Sequence, residues 1–96
     1  MKLVFSPAAE ADLEEIGDYI ALDNPLRAID FIQEIRDHCQ AIVKTPEAFP
    51  LRDDLLPGIR MAVHERYLIF HRLDGKEIRI ERILHGARNV AGLMED

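Results

Sequence analysis

The side chains best suited to chemistry lie where the last apolar segment ends, in the stretch RILHGARNV over residues 82–90. Its polar members are Arg82, His85, Arg88 and Asn89. Arginines bind phosphate or carboxylate groups, and a histidine can donate or accept a proton near neutral pH. The stretch is therefore a candidate for a catalytic site, for a binding surface, or for the simple ending of a strand.

Cleavage of an RNA phosphodiester without a metal is the reaction that these residue types could support. It needs a base for the attacking 2′-hydroxyl, an acid for the leaving oxygen, and cations around the pentavalent phosphate. The candidates are His85 and Tyr67 for proton transfer, with Arg60, Arg82 and Arg88 for charge. They lie on or just beyond three predicted strands, so one sheet surface could gather some of them.

Strand alternation argues against a complete site of this kind. In a regular last strand, Arg82 shares a face with Ile78 and Ile80, whereas His85 falls on the opposite face. The arginines could instead be solvent-facing residues of a half-buried sheet, and Gly86 could let His85 fill a turn at the strand exit. Polar groups clustered beside an apolar strand end also suit a surface that recognises another macromolecule.

Other sequence patterns that carry chemistry are missing. The chain has no P-loop, no dinucleotide-binding glycine fingerprint, no paired cysteines and no His-Glu-x-x-His motif. Asp53 and Asp54 are expected to form a solvated turn in a proline-rich loop. Cys39 is expected in the core, and His38, opposite the apolar stripe of its helix, is expected to be exposed. We therefore predict neither a metal site nor a cofactor.

Length and composition indicate one soluble domain over residues 1–96. Of the 96 residues, 48% are hydrophobic, which is enough for a packed core. The single cysteine excludes an internal disulfide and suits a reducing compartment. No stretch approaches the roughly 18 apolar residues of a membrane span, and the N-terminus does not resemble a signal peptide. A cytoplasmic location without membrane attachment is expected.

The charge of the chain is unevenly distributed. The net charge of -6 argues against a dedicated nucleic-acid binder, so strong direct binding to nucleic acid is not expected. Residues 1–54 carry 12 acidic and 5 basic side chains, whereas residues 55–96 carry 6 acidic and 7 basic ones. The second half is therefore where an anionic partner would bind.

The elements that precede the chemical residues are a strand and two helices. KLVFS, residues 2–6, alternates as a short strand, and Ser6-Pro7 then begins a helix that ends near Asp23-Asn24. A second helix is predicted from Pro25 to Lys44. An ordered, non-helical connector with three prolines follows over residues 46–57.

Three further strands complete the predicted fold. The segments GIRMAVH, RYLIFHR and EIRIERIL alternate with a period of two, and Asp74-Gly75 predicts a hairpin between the last two. The last strand ends apolar on both faces, which is expected of a central strand. One or two helical turns could follow over residues 86–94. The expected fold is α+β in the order β-α-α-β-β-β, with a helical hairpin packed on a small, largely antiparallel four-stranded sheet.

Five segments together resemble the ParE branch of the RelE/ParE toxin superfamily. They are SPAAEADLEEIGDYI, DNPLRAIDFIQEI, PGIR, RYLIFHR and IRIERILHGARN. The resemblance covers nearly the whole chain, and PGIR, YLIFHR and RILHGARN at these spacings are its most specific parts. It implies a bacterial toxin of a type II toxin–antitoxin pair, bound by a small ParD-like antitoxin whose C-terminal segment wraps it.

The resemblance leaves two targets open. ParE-like members are taken to poison DNA gyrase without catalysis, whereas RelE-like members use a basic face to cut mRNA on the ribosome. This chain departs from the basic pattern, because its pI is about 5.1 and its only lysine in the sheet half is Lys76. We therefore expect gyrase inhibition. The residues expected to face the target are Arg60, Arg82, His85, Arg88 and Asn89.

The sequence leaves two alternatives to gyrase inhibition. One is a ribosome-dependent mRNA endonuclease in which His85 is the acid/base, Tyr67 assists, and Arg60 and Arg82 stabilise the phosphate. The other is a member of the family that only binds its antitoxin and regulates its own operon. In every case an unfolded antitoxin tail could fill an apolar groove or add a strand to the sheet, giving a hetero-oligomeric complex. The expected antitoxin anchors are Tyr19, Leu22 and Leu51.

Overall fold

The predicted α+β fold and its element order are confirmed. The computed structural model describes residues 1–88 and 90–94, and Asn89, Glu95 and Asp96 lie outside the described residues. The helices and strands are β1 (Lys2–Phe5), α1 (Pro7–Ala21), α2 (Pro25–Lys44), β2 (Arg60–His64), β3 (Tyr67–Asp74), β4 (Glu77–His85) and α3 (Val90–Met94). Within the described ranges, no helix is long and apolar enough to cross a bilayer.

The four strands form one sheet in the order β1-β4-β3-β2. β4 is therefore central, as its two apolar faces predicted. β2, β3 and β4 are antiparallel neighbours, while β1 runs parallel to β4 and ends with Phe5 opposite Ile80. The predicted hairpin joins β3 to β4 with Gly75 at φ 63°, a conformation that costs glycine little because it has no Cβ.

Local sequence signals begin both long helices. The Ser6 hydroxyl accepts the N–H of Ala9 at 2.9 Å, and Asn24 Oδ1 accepts the N–H of Arg27 at 3.1 Å. Each cap is followed by a proline in the first helical turn, where no N–H is needed. α1 ends at Ala21, slightly earlier than predicted, because the backbone of Asn24 must be extended to cap α2.

Apolar side chains pack on both faces of the sheet. The larger cluster lies between the sheet and the helical hairpin and is built on Leu13, Phe31, Ile35, Ile69 and Ile83 with their neighbours. The smaller cluster covers the opposite face and consists of Ile59, Phe70, Leu84 and Met94. Burial on both faces accounts for the consecutive apolar residues at the end of β4.

β4 contains one irregularity that changes the pattern of its side chains. Phe70 pairs with Arg82, whereas the neighbouring residue His71 pairs with Ile80. Glu81 is therefore an extra residue in β4. A bulge of this kind bends the strand and reverses the alternation of side chains beyond it.

The bulge corrects the prediction about strand faces. The expectation that Arg82 shares a face with Ile78 and Ile80 is wrong, because Arg82 is the cross-strand partner of Phe70 in the opposite cluster. His85 lies on the helix-covered face, opposite Tyr67. The two residues remain on different faces, but each is on the face that was predicted for the other.

The connector before β2 is ordered, as predicted, although it contains a 3₁₀ turn over Pro46–Ala48. Asp53 Oδ1 accepts the N–H of Gly58 at 2.8 Å, and Asp54 forms an exposed ion pair with Arg52 at 2.9 Å. Both acidic side chains thus stabilise a solvated turn, which is the structure predicted for them.

Candidate functional site

A concavity of about 470 Å³ opens between α1 and the ends of β3 and β4 that lie away from their hairpin. Its lining residues are Asp12, Glu15, Ile16, Tyr19, Arg66, Tyr67, Ile83, His85 and Arg88. We call this concavity the β4 groove. It brings together three residues predicted for the functional site, Tyr67, His85 and Arg88, and it adds Tyr19 from the predicted antitoxin anchors.

Tyr67 and His85 form the aromatic floor of the β4 groove. They are direct cross-strand partners, and their rings meet edge to face with centroids 5.3 Å apart. Phe31 of α2 supports Tyr67 from below, with ring centroids 5.6 Å apart. Edge-to-face packing holds both rings in fixed orientations, so the floor is rigid and amphipathic.

The hydrogen bonding of His85 defines its neutral form. The Ala87 N–H donates to Nδ1 of His85 at 3.1 Å. Since that nitrogen accepts, the proton of the neutral imidazole lies on Nε2. Nε2 then carries a hydrogen that it can donate in a hydrogen bond to a partner, and the basic lone pair of the neutral ring lies on Nδ1, where the Ala87 N–H occupies it.

Tyr67 is also a poor base. Burial, with a smaller contribution from nearby Tyr19, raises the pKa of Tyr67 above its ordinary value of 10.0. A raised pKa keeps the hydroxyl protonated near neutral pH. The floor of the β4 groove therefore presents two hydrogen-bond donors.

Charges of both signs line the β4 groove. Arg66 and Arg88 lie in its lining together with the carboxylates of Asp12 and Glu15. Arg88 is 3.6 Å from Glu15, and both side chains are more than half exposed, at 51% and 73%. An ion pair this exposed is weak, so a partner could separate the two charges at little cost.

Comparison with known proteins decides the family. The family model for the ParE toxin of the type II toxin–antitoxin system parDE matches residues 3–90. The chain belongs to the ParE toxin family. It is also similar to a solved structure described as the chromosomal ParDE TA system from P. aeruginosa, with 31% identity over 88% of this chain and 95% of that chain, and a TM-score of 0.77. None of the curated proteins compared with the chain matches it.

In this ParE toxin, Arg82 connects β4 to two helices. Its Nε and Nη2 donate to the Asp12 carboxylate at 2.8 and 2.9 Å, and its Nη1 donates to the Leu93 carbonyl at 2.9 Å. Asp12 also accepts the N–H of Ile83 at 2.9 Å. Arg82 thus lies behind the β4 groove and positions the Asp12 wall, while its own side chain is only 22% exposed.

Arg60 lies away from the β4 groove. Its Nη1 donates to the carbonyl oxygens of Phe49 at 2.7 Å and Glu47 at 3.4 Å. It begins β2, two strands from His85 and roughly 13 Å along the strand from His64, which lies level with Tyr67 and His85. The structure therefore does not bring Arg60 together with His85, and Arg60 holds the connector onto the sheet. Asn89 falls outside the described residues.

The predicted antitoxin anchors are exposed but lie in two regions. Tyr19 and Leu22 are 70% and 87% exposed near the C-terminus of α1, whereas Leu51 is 48% exposed on the connector beside β2. Two further exposed side chains, Leu26 and Ile29, lie in α2. The sequence carried a signal for them, because their spacing of three places both outside the main apolar stripe of α2.

Sequence reasoning also missed two groups of polar residues. Asp12 and Arg66 belong to the β4 groove, but neither is among the residues that were assigned to a functional site from the sequence. His38 was expected to be exposed, and this is wrong, because its Nδ1 contacts Nδ1 of His64 at 2.9 Å. Cys39 is buried as predicted, and burial raises its pKa to about 12.

Proposed function

We propose that this ParE toxin inhibits DNA gyrase without catalysis, acts in the cytoplasm, and is neutralised by a ParD-like antitoxin. Membership of the ParE family supports a toxin with a cognate antitoxin. The choice of gyrase rests on the chemistry of the β4 groove, which suits recognition of a protein surface better than cleavage of RNA.

The hydrogen bonding of His85 is the observation that carries this proposal. RNA cleavage requires a base for the 2′-hydroxyl, and the neutral His85 ring has its Nε2 protonated. Tyr67 cannot replace it, because its raised pKa keeps the phenol protonated. Both side chains are instead well placed to donate hydrogen bonds to carbonyl or carboxylate groups of a protein partner.

The electrostatics of the β4 groove support the same conclusion. A nuclease must stabilise the extra negative charge of a pentavalent phosphate. Here the exposed carboxylate of Glu15 lies 3.6 Å from Arg88 in the same concavity, so an RNA backbone would meet a carboxylate beside that guanidinium. The net charge of -6 adds long-range repulsion from RNA.

We propose that His85 and Arg88 contact the target directly, together with Asn89. Arg82 is proposed to act through Asp12, whose position it fixes with two hydrogen bonds. Arg60 is proposed to extend the target-facing surface only indirectly, by holding the connector against β2. Substitutions of the direct contacts should therefore weaken inhibition without loss of stability, whereas substitutions of Arg82 should lower both.

The proposed antitoxin surface is the exposed apolar end of the helical hairpin. The exposed side chains of Tyr19 and Leu22 would anchor an antitoxin helix on this surface. Leu26 and Ile29 extend the same apolar surface. Leu51 would contact a segment that adds to β2, which is an edge strand of the sheet. The acidic balance of residues 1–54 favours a partner segment that carries lysines and arginines.

A gyrase assay tests the proposal. Purified toxin is added to gyrase, ATP and relaxed plasmid, and both supercoiled and linear DNA are measured. Inhibited supercoiling with accumulation of cleaved plasmid is expected, and prior addition of the antitoxin should prevent it. Unchanged supercoiling at saturating toxin would refute gyrase as the target.

Alanine variants inside and outside the β4 groove, together with an assay on ribosomes, distinguish gyrase inhibition from the alternative functions. His85→Ala and Arg88→Ala should each weaken inhibition roughly tenfold, equivalent to about 1.4 kcal/mol, whereas exposed Lys44, which does not line the β4 groove, should tolerate alanine. Ribosomes programmed with message should remain uncut. Site-specific mRNA cleavage that disappears in His85→Ala would instead establish the endonuclease. Absence of growth arrest in cells without antitoxin would favour a chain that only binds its antitoxin.

A further inference from the structure

A buried histidine nitrogen lacks a hydrogen-bond partner where α2 meets the β2–β3 turn. Nε2 of His64 is buried, and none of the described residues lies within hydrogen-bond distance of it. Two carboxylates approach it at longer range, Glu34 Oε1 at 4.0 Å and Glu65 Oε2 at 3.9 Å. An orphaned buried nitrogen facing two carboxylates is unfavourable unless another group lies between them.

The other nitrogen of the same ring has a defined partner. Nδ1 of His64 lies 2.9 Å from Nδ1 of His38, so one of the two nitrogens donates and the other accepts. When His64 is the donor, the lone pair of its Nε2 points toward the two carboxylates. In metal sites, the histidine that binds the ion through one nitrogen is commonly held in place by a hydrogen bond from its other nitrogen.

The spacing of the three groups suits a small cation. Their ligand atoms, one each from Glu34, His64 and Glu65, all lie within 4.8 Å of one another. Even at that limit, the point equidistant from three such atoms would be roughly 2.8 Å from each, against about 2.0–2.2 Å in zinc sites. Glu34 and Glu65 are surface side chains, so rotation about their side-chain bonds could move their oxygens by a few tenths of an ångström to an ångström. Such shifts would bring the three ligand atoms to the distances found in zinc sites.

Charge also favours a cation at this position. Arg27 is the guanidinium that contacts the two carboxylates, at 2.6 Å from Glu34 Oε2 and 3.5 Å from Glu65 Oε2. One positive charge against two negative charges leaves a net negative site. Glu34 holds Arg27 mainly through Oε2, at 2.6 Å, whereas its Oε1 accepts from the same guanidinium at 3.5 Å and lies 4.0 Å from His64 Nε2. Oε1 could therefore turn to a metal ion while Oε2 keeps the arginine.

We propose that Glu34, His64 and Glu65 form a binding site for a divalent first-row transition-metal ion of the Zn²⁺ class, with His38 positioning the His64 ring. One imidazole and two carboxylates are ligands that such ions accept, and the imidazole disfavours Mg²⁺ and Ca²⁺. Water would complete the coordination.

Metal binding at this site would join two parts of the fold. Glu34 belongs to α2, whereas His64 and Glu65 belong to the end of β2 and its turn. The next two residues, Arg66 and Tyr67, line the β4 groove. The ion would therefore fix the turn that carries part of the groove, and this inference does not depend on which target the toxin binds.

The test is a titration of the untagged chain with ZnCl₂ near pH 7.5, followed by isothermal calorimetry and by thermal unfolding. Binding of one equivalent and a rise in melting temperature with zinc concentration are expected. His64→Gln and the double variant Glu34→Gln/Glu65→Gln should lose saturable binding, and His38→Gln should weaken it by roughly 10- to 100-fold. The control Glu14→Gln, an exposed acid of α1, should bind zinc like the wild-type chain.

Two outcomes would overturn the site. The first is absence of binding by the wild-type chain at millimolar zinc. The second is equal affinity in wild-type, Glu34→Gln and His64→Gln chains, with circular dichroism showing that the variants are folded. Gyrase activity is not measured in this titration, so failure of the metal site and failure of the proposed function are distinguishable.

Discussion

Replacing Asp12 with alanine should destabilise the fold more than the loss of any exposed acid in α1. Its carboxylate is buried and accepts three hydrogen bonds, two from Arg82 at 2.8 and 2.9 Å and one from the Ile83 N–H at 2.9 Å. β1 pairs with β4 only as far as Phe5 and Ile80. Asp12 therefore supplies the acceptor that a strand would otherwise provide to the backbone of β4.

The expected cost follows from these contacts. Removing one member of a buried ion pair costs about 3–5 kcal/mol, because the other charge and any attached N–H lose their partner. Arg82 retains its bond to the Leu93 carbonyl and is 22% exposed, which places the cost near the lower limit, at about 3 kcal/mol. For a domain of this size the melting temperature should fall by roughly 12–24 °C.

Urea unfolding followed by far-UV circular dichroism measures this loss. The midpoint should fall by roughly 1–3 M urea with little change in slope. Asp12→Asn, which keeps an acceptor for the Ile83 N–H but loses the charge, should lie between wild type and Asp12→Ala. The exposed neighbour Glu14→Ala should stay within about 0.5 kcal/mol of wild type. A loss below about 1 kcal/mol for Asp12→Ala would refute the role of Asp12 as the link between α1 and β4.

Three further predictions concern pH, reactivity and backbone conformation. His71 is 1% exposed, and burial lowers its pKa from 6.5. The unfolded chain therefore takes up this proton at a higher pH than the folded chain, so the free energy of unfolding is greatest above pH 6.5 and decreases as the pH falls below that value. His71→Leu should flatten the dependence of unfolding free energy on pH between pH about 7.5 and 5, and an unchanged dependence would contradict this. Cys39, whose pKa burial raises to about 12, should react with a thiol reagent only after unfolding, and rapid labelling of native protein would show that it is accessible. Gly75→Ala should cost about 1–2 kcal/mol in thermal unfolding because of its φ of 63°, whereas Gly86→Ala, whose φ is not positive, should cost less.

The parts of the fold that the sequence predicted are those governed by local rules. Ser6-Pro7 and Asn24-Pro25 begin the two helices at the positions where they are observed. The apolar residues on both faces of the last strand identified β4 as central. In each case a few neighbouring residues determine the outcome, so no knowledge of distant contacts was needed.

The parts that could not be predicted depend on contacts between distant residues. The bulge at Glu81 reverses the faces of Arg82 and His85, and nothing in the alternation of EIRIERIL marks its position. Asp12 and Arg82 are 70 residues apart in sequence, so their pairing follows only from the packing of α1 along the open side of β4. His38 was predicted to be exposed for the same reason, because its contact with His64 joins a helix to a strand that is distant in sequence.

The β4 groove could be predicted in composition but not in geometry. Tyr67, His85 and Arg88 were identified from residue type and from their place near a strand end. Arg60 was included because it is an arginine on a neighbouring strand, yet the carbonyl of Phe49 binds its guanidinium at the far end of β2. Alternation gives the face of a side chain only in a strand without a bulge, and its position along the sheet requires the register of the strands.

The most direct test of a non-catalytic, gyrase-directed groove is the toxin concentration that halves gyrase supercoiling, compared between wild type, His85→Ala, Arg88→Ala and Lys44→Ala. We predict that wild type and Lys44→Ala inhibit at similar concentrations. The two groove variants should require roughly tenfold higher concentrations. All four proteins should unfold at similar urea concentrations. Undiminished supercoiling at saturating wild-type toxin, together with cleavage of ribosome-bound mRNA that His85→Ala abolishes, would contradict it.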